Sequence, residues 1–265
     1  MRHVPRKPRD DVNVSPEHPL VEAGTLAVGI GIAVAIVVLA LVLFVDVVLH
    51  FVPPSAEVRL IGDWQPDDLV RVDGDDPREA AVADLLGRIA VHWPDTDYRF
   101  RAIVQVADEP NALAFPGGLI VVTTGLLDKV ETENELAFVL GHELGHFRNR
   151  DHIRGLGRGV ALSIALAAVS GKSGSLALGT TVADVTLRGV SRRQEIEADA
   201  FGLALVNSTY GHVDGAGDFF ARLDGATGGG WFATHPAAVE RVRLLDDAAA
   251  AAGFRREGAL NPLPW

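Results

Sequence analysis

The stretch Glu135-Leu-Ala-Phe-Val-Leu-Gly-His142-Glu143-Leu-Gly-His146 decides how this sequence is interpreted. Its apolar residues recur at helical spacing, and a separation of four positions places His142 and His146 on one helix face, one turn apart. Two imidazoles in this arrangement can bind one zinc ion, and Glu143 can take a proton from a water on the metal. The stretch therefore predicts a hydrolytic zinc site on a helix.

A catalytic zinc site needs a third protein ligand, because two histidines leave its coordination incomplete. The segment Glu195-Ile-Glu-Ala-Asp199 offers two candidates that are four residues apart and share a helix face. We expect Glu195 to be the third ligand and Asp199 to hydrogen-bond the distal nitrogen of a ligating histidine, which would fix its tautomer. A solvated charged face is the alternative interpretation of this acidic cluster.

The composition limits both the metal ligands and the partners. The 265 residues include no cysteine, so a metal must be held by His, Asp and Glu, and neither disulfides nor thiolate sites can form. The formal net charge is −11, which argues against nucleic-acid binding because such binding needs positive charge to neutralise phosphates. With 48% hydrophobic residues, the chain can build a packed core.

Residues Gly24–Val45 form an uncharged, mostly aliphatic run. As a helix this run is about 33 Å long, enough to cross a hydrocarbon core of about 30 Å. A buried soluble helix and a cleaved signal peptide are the alternatives, although a signal peptide has a shorter apolar region and a better cleavage site. Basic residues are concentrated before the run, so the positive-inside rule predicts a cytoplasmic N-terminus.

After the anchor, strand patterns precede a long helical region, which is typical of an α+β fold. Residues 77–93 have the spacing of an amphipathic helix, and residues 98–107 alternate like a strand. Two short strands, Asn111–Phe115 and Leu119–Thr124, are expected around the tight turn between them. The apolar stretch 159–187 is too interrupted to span a bilayer, so we expect packed helices within the domain, with a membrane-dipping hairpin as the alternative.

The order of these motifs resembles that of the HtpX-like and CAAX prenyl protease-like zinc metallopeptidases. The resemblance covers about residues 78–245, much more of the chain than the zinc motif alone. Its elements are Asn111-Ala-Leu-Ala-Phe-Pro-Gly-Gly118 followed by Val121–Leu127, His142-Glu143-Leu-Gly-His146, Glu195-Ile-Glu-Ala-Asp199-Ala-Phe, and Thr234-His235-Pro236 with Glu240-Arg241. Multi-spanning members surround the site with several transmembrane helices. This chain has one convincing anchor and is more similar to members with a soluble catalytic domain.

The resemblance implies a fold and a role for each motif residue. It implies an α+β, helix-rich gluzincin domain with a small β-sheet at the cleft, in which His142, His146 and Glu195 hold one zinc ion per chain. Glu143 would then be the catalytic base. His235 could stabilise the oxyanion of the tetrahedral intermediate, occupy the open metal position in a resting state, or have only a structural role.

We therefore divide the chain into five segments. They are a cytoplasmic N-terminal tail (residues 1–22), a transmembrane anchor (23–52), a linker rich in Pro, Gly and Asp (53–76), a zinc metallopeptidase domain (77–252) and a C-terminal tail (253–265). The catalytic domain would lie on the extracytoplasmic side of the cytoplasmic membrane, which the chain would cross once.

The expected activity is that of a zinc metalloendopeptidase that cuts extended or misfolded proteins by Glu-assisted attack of zinc-bound water, in envelope protein quality control. A strand edge at Asn111–Phe115 or Leu119–Thr123 could capture the substrate as an added strand. The alternative is a zinc-bound chaperone or assembly factor that binds unfolded envelope proteins without cutting them, although such a protein has no need for Glu143. A structural membrane protein with a fortuitous motif is a third possibility, and the sequence does not indicate the oligomeric state.

Overall fold

A computed structural model describes residues 18–61, 70–72, 76–170, 191–223, 235 and 241–265, with the backbone alone for residues 161–170. Helices dominate the described residues and accompany one small sheet, which confirms the predicted helix-rich α+β fold. In chain order the elements are α1 (Pro19–Phe51), α2 (Pro54–Ile61), α3 (Pro77–Ala90), β1 (Arg101–Gln105), β2 (Ala112–Phe115), β3 (Leu119–Thr123), α4 (Thr124–Leu127), α5 (Glu133–Asn149), α6 (Asp151–Ser170), α7 (Arg192–Tyr210), α8 (Asp218–Leu223) and α9 (Arg241–Ala251).

Helix α1 contains the whole uncharged run Gly24–Val45 and extends beyond it at both ends. Pro19 in its first turn and the His18 side chain, which accepts a hydrogen bond from the Leu20 N–H, define its start. By length and composition α1 can cross a membrane, and among the described helices it is the only one that can. None of its residues is fully buried, as expected for an apolar helix whose surface faces lipid.

The sheet has the strand order β1-β3-β2, with β3 parallel to β1 and antiparallel to β2. The two short strands predicted around a tight turn are thereby confirmed, whereas the parallel pairing of β1 with β3 was not expected. Gly117 and Gly118 in the turn both have positive φ angles, 83° and 88°. A Cβ at Gly118 would lie 2.7 Å from the Arg99 carbonyl oxygen, so this turn requires glycine.

Helix α5 is the centre of the domain, and all residues from Glu133 to Phe147 are buried. The Thr132 hydroxyl caps its start by accepting a hydrogen bond from the Glu135 N–H. The helix packs against α3, β2 and α7. It approaches α7 so closely that a Cβ at Gly141 would lie 3.1 Å from the Gly202 Cα. This close contact brings the motif carried by α5 next to the one carried by α7.

Part of the segment expected to be a linker is helical. Helix α2 buries Glu57, whose carboxylate accepts hydrogen bonds from the Gly117 N–H (3.1 Å), the Tyr98 hydroxyl (2.8 Å) and His152 Nε2 (2.7 Å). The composition concealed this contact, because Pro, Gly and Asp are typical of loops and a single acidic residue does not indicate burial. Helix α2 therefore holds the end of α1 against the turn between β2 and β3.

The chain end differs from expectation, whereas the second apolar region is only partly described. The expected C-terminal tail packs on the domain, where the Asn261 N–H donates to Asn134 Oδ1 (2.8 Å) and the Asn261 carbonyl accepts from the Glu133 N–H (2.9 Å). Helix α6, which includes the first part of the apolar stretch 159–187, packs mainly along α1 and also contacts α5 and β2. The remainder of that stretch, residues 171–187, lies outside the described residues.

Candidate metal centre

Four side chains from three separate segments of the sequence meet between α5 and α7. His142 Nε2 lies 3.0 Å from His146 Nε2, and His235 Nδ1 lies 3.2 and 3.3 Å from these two atoms. The Glu195 carboxylate lies 3.5 Å from His142, 3.4 Å from His146 and 3.1 Å from His235. All four side chains are buried. Their ligand atoms therefore form a closed set in which every pair is in contact.

The distances that join the three imidazole nitrogens to one another, and those from His146 and His235 to Glu195 Oε1, are close to the edges of a coordination tetrahedron. His142, by contrast, contacts the other oxygen, Glu195 Oε2. In such a tetrahedron the edge is about 1.6 times the metal–ligand distance, so zinc bonds of about 2.0–2.1 Å give edges of about 3.3 Å. These five distances range from 3.0 to 3.4 Å. Three imidazole nitrogens and one carboxylate are also the donor types that zinc prefers in the absence of thiolates. The residues present fit a zinc ion in both geometry and chemistry.

Two carboxylates fix the orientation of the imidazoles on α5. Asp199 Oδ1 lies 2.8 Å from His142 Nδ1, and Asp151 Oδ2 lies 3.0 Å from His146 Nδ1. Each Nδ1–H donates to its carboxylate, so each Nε2 faces the other ligand atoms and is the position for a metal ion or a proton. Without any cation, the Nε2 lone pairs would repel one another and the Glu195 carboxylate. A bound cation removes this repulsion.

Helix α7 presents its acidic residues to the site because of how it begins. Ser191 accepts from the Gln194 N–H, and the Gln194 side chain accepts from the Ser191 N–H (2.9 Å), which forms a capping box. With the start of the helix fixed there, Glu195 and Asp199 face α5. Glu197 points outward and pairs with a neighbouring arginine at 2.8 Å.

The charges around the site favour one cation. Burial and the nearby Arg241 lower the pKa of His142 to about 3, so this imidazole is neutral. Burial also acts to lower the pKa of His146, but hydrogen bonds to Asp151 and Glu195 outweigh it and raise the pKa to about 10. The positive charge that these carboxylates attract is a proton on His146 when no metal is bound, and the metal when it is.

Glu143 lies beside these four side chains, and its carboxylate forms a buried group with His142, His146 and His235 whose potential ligand atoms lie within 4.8 Å of one another. Its Oε1 is 3.4 Å from His235 Nε2, and the side chain is buried. Burial raises the pKa of the Glu143 carboxyl, although the nearby histidines oppose the rise. A carboxylate whose pKa is raised towards neutral accepts and releases protons more readily near pH 7.

Two residues of the site were missed as functional candidates. Asp151 follows the second histidine by five residues, beyond the end of α5, where helical spacing no longer predicts contact. Arg241 lies 2.5 Å from Asp199 and 3.4 Å from Glu195, with its guanidinium 4.3 Å from the centre of the Phe220 ring. The sequence offered Arg241 only as part of a family motif, because no local pattern brings residue 241 to α7.

The sheet edge near the site is β2. Within the described residues β2 pairs only with β3, and it contacts α5, which carries the two motif histidines. Strand β3 lies between β1 and β2, so Leu119–Thr123 cannot offer the open edge that was considered for it. Of the two candidate edges, only the segment at Ala112–Phe115 remains.

Comparisons with known proteins agree with this geometry. The signature of a family described as Peptidase family M48 matches residues 77–249. The metalloprotease LoiP of Escherichia coli (strain K12) is 32% identical over 189 residues, which cover 67% of this chain and 72% of LoiP. The metalloprotease YcaL of the same organism is 31% identical over 180 residues, which cover 64% of this chain and 68% of YcaL. The mitochondrial metalloendopeptidase OMA1 of Arabidopsis thaliana is 36% identical over 151 residues, which cover 55% of this chain but only 31% of that longer relative.

Proposed function

The chain belongs to peptidase family M48, and from that membership we propose that it is a membrane-anchored zinc metalloendopeptidase. The observation that carries this proposal is the buried meeting of His142, His146, His235 and Glu195, with Glu143 beside them. His142, His146 and Glu195 would hold the zinc ion. Zinc bound there lowers the pKa of a water molecule and polarises a peptide carbonyl.

Glu143 is proposed to move the protons of the reaction. As a carboxylate it takes a proton from the attacking water at Oε1, and as a carboxylic acid it delivers that proton to the amine that leaves. The raised pKa of Glu143 supports both roles, because a group whose pKa is closer to the working pH can both accept a proton and give it up again. Asp199 and Asp151 act through the histidines, whose rings they orient.

His235 is proposed to be the fourth ligand of a resting form. Its Nδ1 occupies the fourth corner of the tetrahedron, the position that a catalytic zinc site keeps for water and substrate. Of the roles expected from the sequence, this position supports the resting-state one over oxyanion stabilisation. Substrate entry then requires His235 to leave that corner.

The proposed substrates are extended or misfolded polypeptides. Among the described residues β2 pairs only with β3, so its other edge offers backbone N–H and C=O groups to which an extended chain can add as a further strand. Such binding depends on backbone shape before side chains and therefore selects unfolded segments. With α1 in the cytoplasmic membrane and the N-terminus inside, the proposed setting is quality control of envelope proteins on the extracytoplasmic side.

The test is cleavage of casein by the full chain in detergent, with zinc content measured by elemental analysis. Glu143→Gln is expected to retain zinc and to lose activity by about 10²–10⁴-fold, because the proton acceptor is gone and the ligands remain. Glu197→Gln, on the outer face of α7, is the matched control and is expected to cleave like the wild type. Equal cleavage by Glu143→Gln would disprove the role of this carboxylate. A zinc-loaded wild type that binds casein without cutting it would instead favour the chaperone interpretation.

A further inference from the structure

Helix α6 runs antiparallel to α1 and in close contact with it. Arg154 Nε lies 3.3 Å from Asp46 Oδ1, and Arg158 lies 4.0 Å from Asp46 Oδ2. Between these arginines, Gly157 faces Val45 so closely that an added Cβ would lie 2.6 Å from Val45 Cγ1. Small residues allow helix backbones to approach in this way, as they do at contacts between membrane helices.

The contact covers one face of α1 over about half of its length. His18 and residues 19–33 of α1 are all exposed, and from residue 34 onward half-buried positions recur at helical spacing. These positions are Val34, Val38, Leu41, Val42, Val45, Asp46, Val48 and Leu49. Near the C-terminal end of α1, Arg150 donates to the Leu49 carbonyl at 2.9 Å. Helix α6 therefore runs along α1 from the C-terminal end of α1 to about residue 34.

The covered part of α1 lies mostly within its uncharged run, Gly24–Val45. Helix α6 is also uncharged from residue 159 to its end at residue 170, and the last charge before this stretch is Arg158. Accordingly, when Gly24–Val45 occupies the hydrocarbon core, residues 159–170 lie in the same layer. This step rests on the membrane anchor of the proposed function.

We infer that the second half of α6 enters the bilayer beside α1 as a re-entrant helix, with lipid as the partner of the faces that α1 does not cover. Its 12 uncharged residues are about 18 Å long, so the helix ends within a core of about 30 Å and does not cross it. A helix tolerates this environment because its backbone hydrogen bonds are internal. Asp46, Arg154 and Arg158 form ion pairs where both helices leave the core.

The re-entrant helix determines how far the metal site lies from the membrane surface. Asp151, the first residue of α6, holds His146 and lies six residues, or about 9 Å of helix, from Gly157. Two membrane-inserted helices, α1 and α6, thereby hold the metal site close to the membrane surface, whereas α1 alone would act only as a tether. Polypeptide segments that emerge from the same membrane surface are within reach of a site at this height.

The absence of cysteine makes a labelling test direct. Single cysteines introduced in turn at positions 160–168 of the full chain would carry an environment-sensitive fluorophore in liposomes, with or without brominated lipids that quench in the hydrocarbon. Leu39→Cys, exposed on α1, is the positive control. Val242→Cys on α9 is the matched negative control for Val160→Cys, since both valines are 38% exposed. Each variant must cleave casein, which shows that it is folded.

Brominated lipids are expected to quench a helical subset of the labels at 160–168 by the same fraction as the label at Leu39, and to leave the label at Val242 unchanged. Quenching at Leu39 without quenching at any position from 160 to 168 refutes the re-entrant helix and leaves the anchor intact. An unquenched label at Leu39 refutes the anchor itself, and the re-entrant helix with it.

Discussion

Gly145, inside the histidine motif, lies where α5 and α7 approach most tightly. A Cβ added at this position would lie 2.6 Å from the Ala198 Cα and 2.9 Å from the Ala198 carbonyl oxygen. Since carbon atoms in contact are about 3.5–4.0 Å apart, Gly145→Ala must separate the two helices by about 1 Å. Ala198 lies between Glu195 and Asp199, so the same movement carries the carboxylate ligand away from the histidines on α5.

The expected cost combines two opposing effects. Overpacking a buried contact destabilises by about 1–3 kcal/mol, and the higher helix propensity of alanine returns up to about 1 kcal/mol. We therefore expect a net loss of about 1–2 kcal/mol in the free energy of unfolding. Metal binding is weakened more than folding, because metal–ligand distances tolerate a change of only about 0.2 Å and the two helices would separate by several times that distance. A loss of zinc affinity of at least about tenfold follows.

The measurements are chemical unfolding followed by circular dichroism, and zinc affinity by competition with a chelator. Gly87→Ala is the matched control, because Gly87 lies inside α3 with no atom within 4 Å of an added Cβ. That variant is expected to gain up to about 1 kcal/mol and to bind zinc like the wild type. If Gly145→Ala instead behaves like Gly87→Ala in both measurements, α5 and α7 do not hold the ligands through this contact.

Two further predictions concern carboxylates outside the ligand set. Burial acts to raise the pKa of Glu57, but hydrogen bonding and charge, chiefly from His152, outweigh it and lower the pKa to about 2. The folded-state pKa is below the unfolded one, so this carboxylate stabilises the fold above about pH 4.5 and ceases to do so as the pH falls to about 2. Glu57→Gln should lower the free energy of unfolding by about 2 kcal/mol at pH 7, after allowance for solvent screening. Urea unfolding at several pH values should show the difference between variant and wild type shrinking as the pH falls from about 4.5 to about 2. A difference that stays constant over these pH values contradicts the stabilising role of the Glu57 carboxylate. Asp151→Asn should weaken zinc binding about 10–100-fold in chelator competition, because His146 loses the carboxylate that orients it. Asp84→Asn, on the exposed face of α3, is the control and should bind zinc like the wild type; equal affinities of the two variants exclude this role for Asp151.

What the sequence could predict was local. The spacing of His142 and His146, and that of Glu195 and Asp199, follows from the geometry of a single helix. The turn between β2 and β3 follows from a glycine pair between two apolar runs, and the long apolar run of α1 is equally evident from composition. Each of these signals lies within a few consecutive turns of chain, where spacing alone determines which side chains share a face.

What the sequence could not predict depends on contacts between distant segments. No pattern around Arg241 indicates that its guanidinium lies against Asp199, and the loop-like composition around Glu57 conceals a buried carboxylate. The position of α6 along α1 could not be predicted for a related reason. Residues 159–170 are apolar enough for either a domain core or a bilayer, and the contacts of Arg154 with Asp46 and of Gly157 with Val45 join distant segments.

The connection between α5 and α6 shows how anchor and metal site depend on one another. Arg150 ends α5 in the left-handed conformation (φ 59°, ψ 32°), which costs a non-glycine residue about 1 kcal/mol. Glycine would avoid this cost but would lose the guanidinium that donates to the Leu49 and Val52 carbonyls at the end of α1. The same left-handed turn brings the next residue, Asp151, back to His146. The side chain that fixes the end of the anchor and the side chain that orients a metal ligand are thus adjacent in the chain, so a tilt of α1 cannot displace one without straining the other.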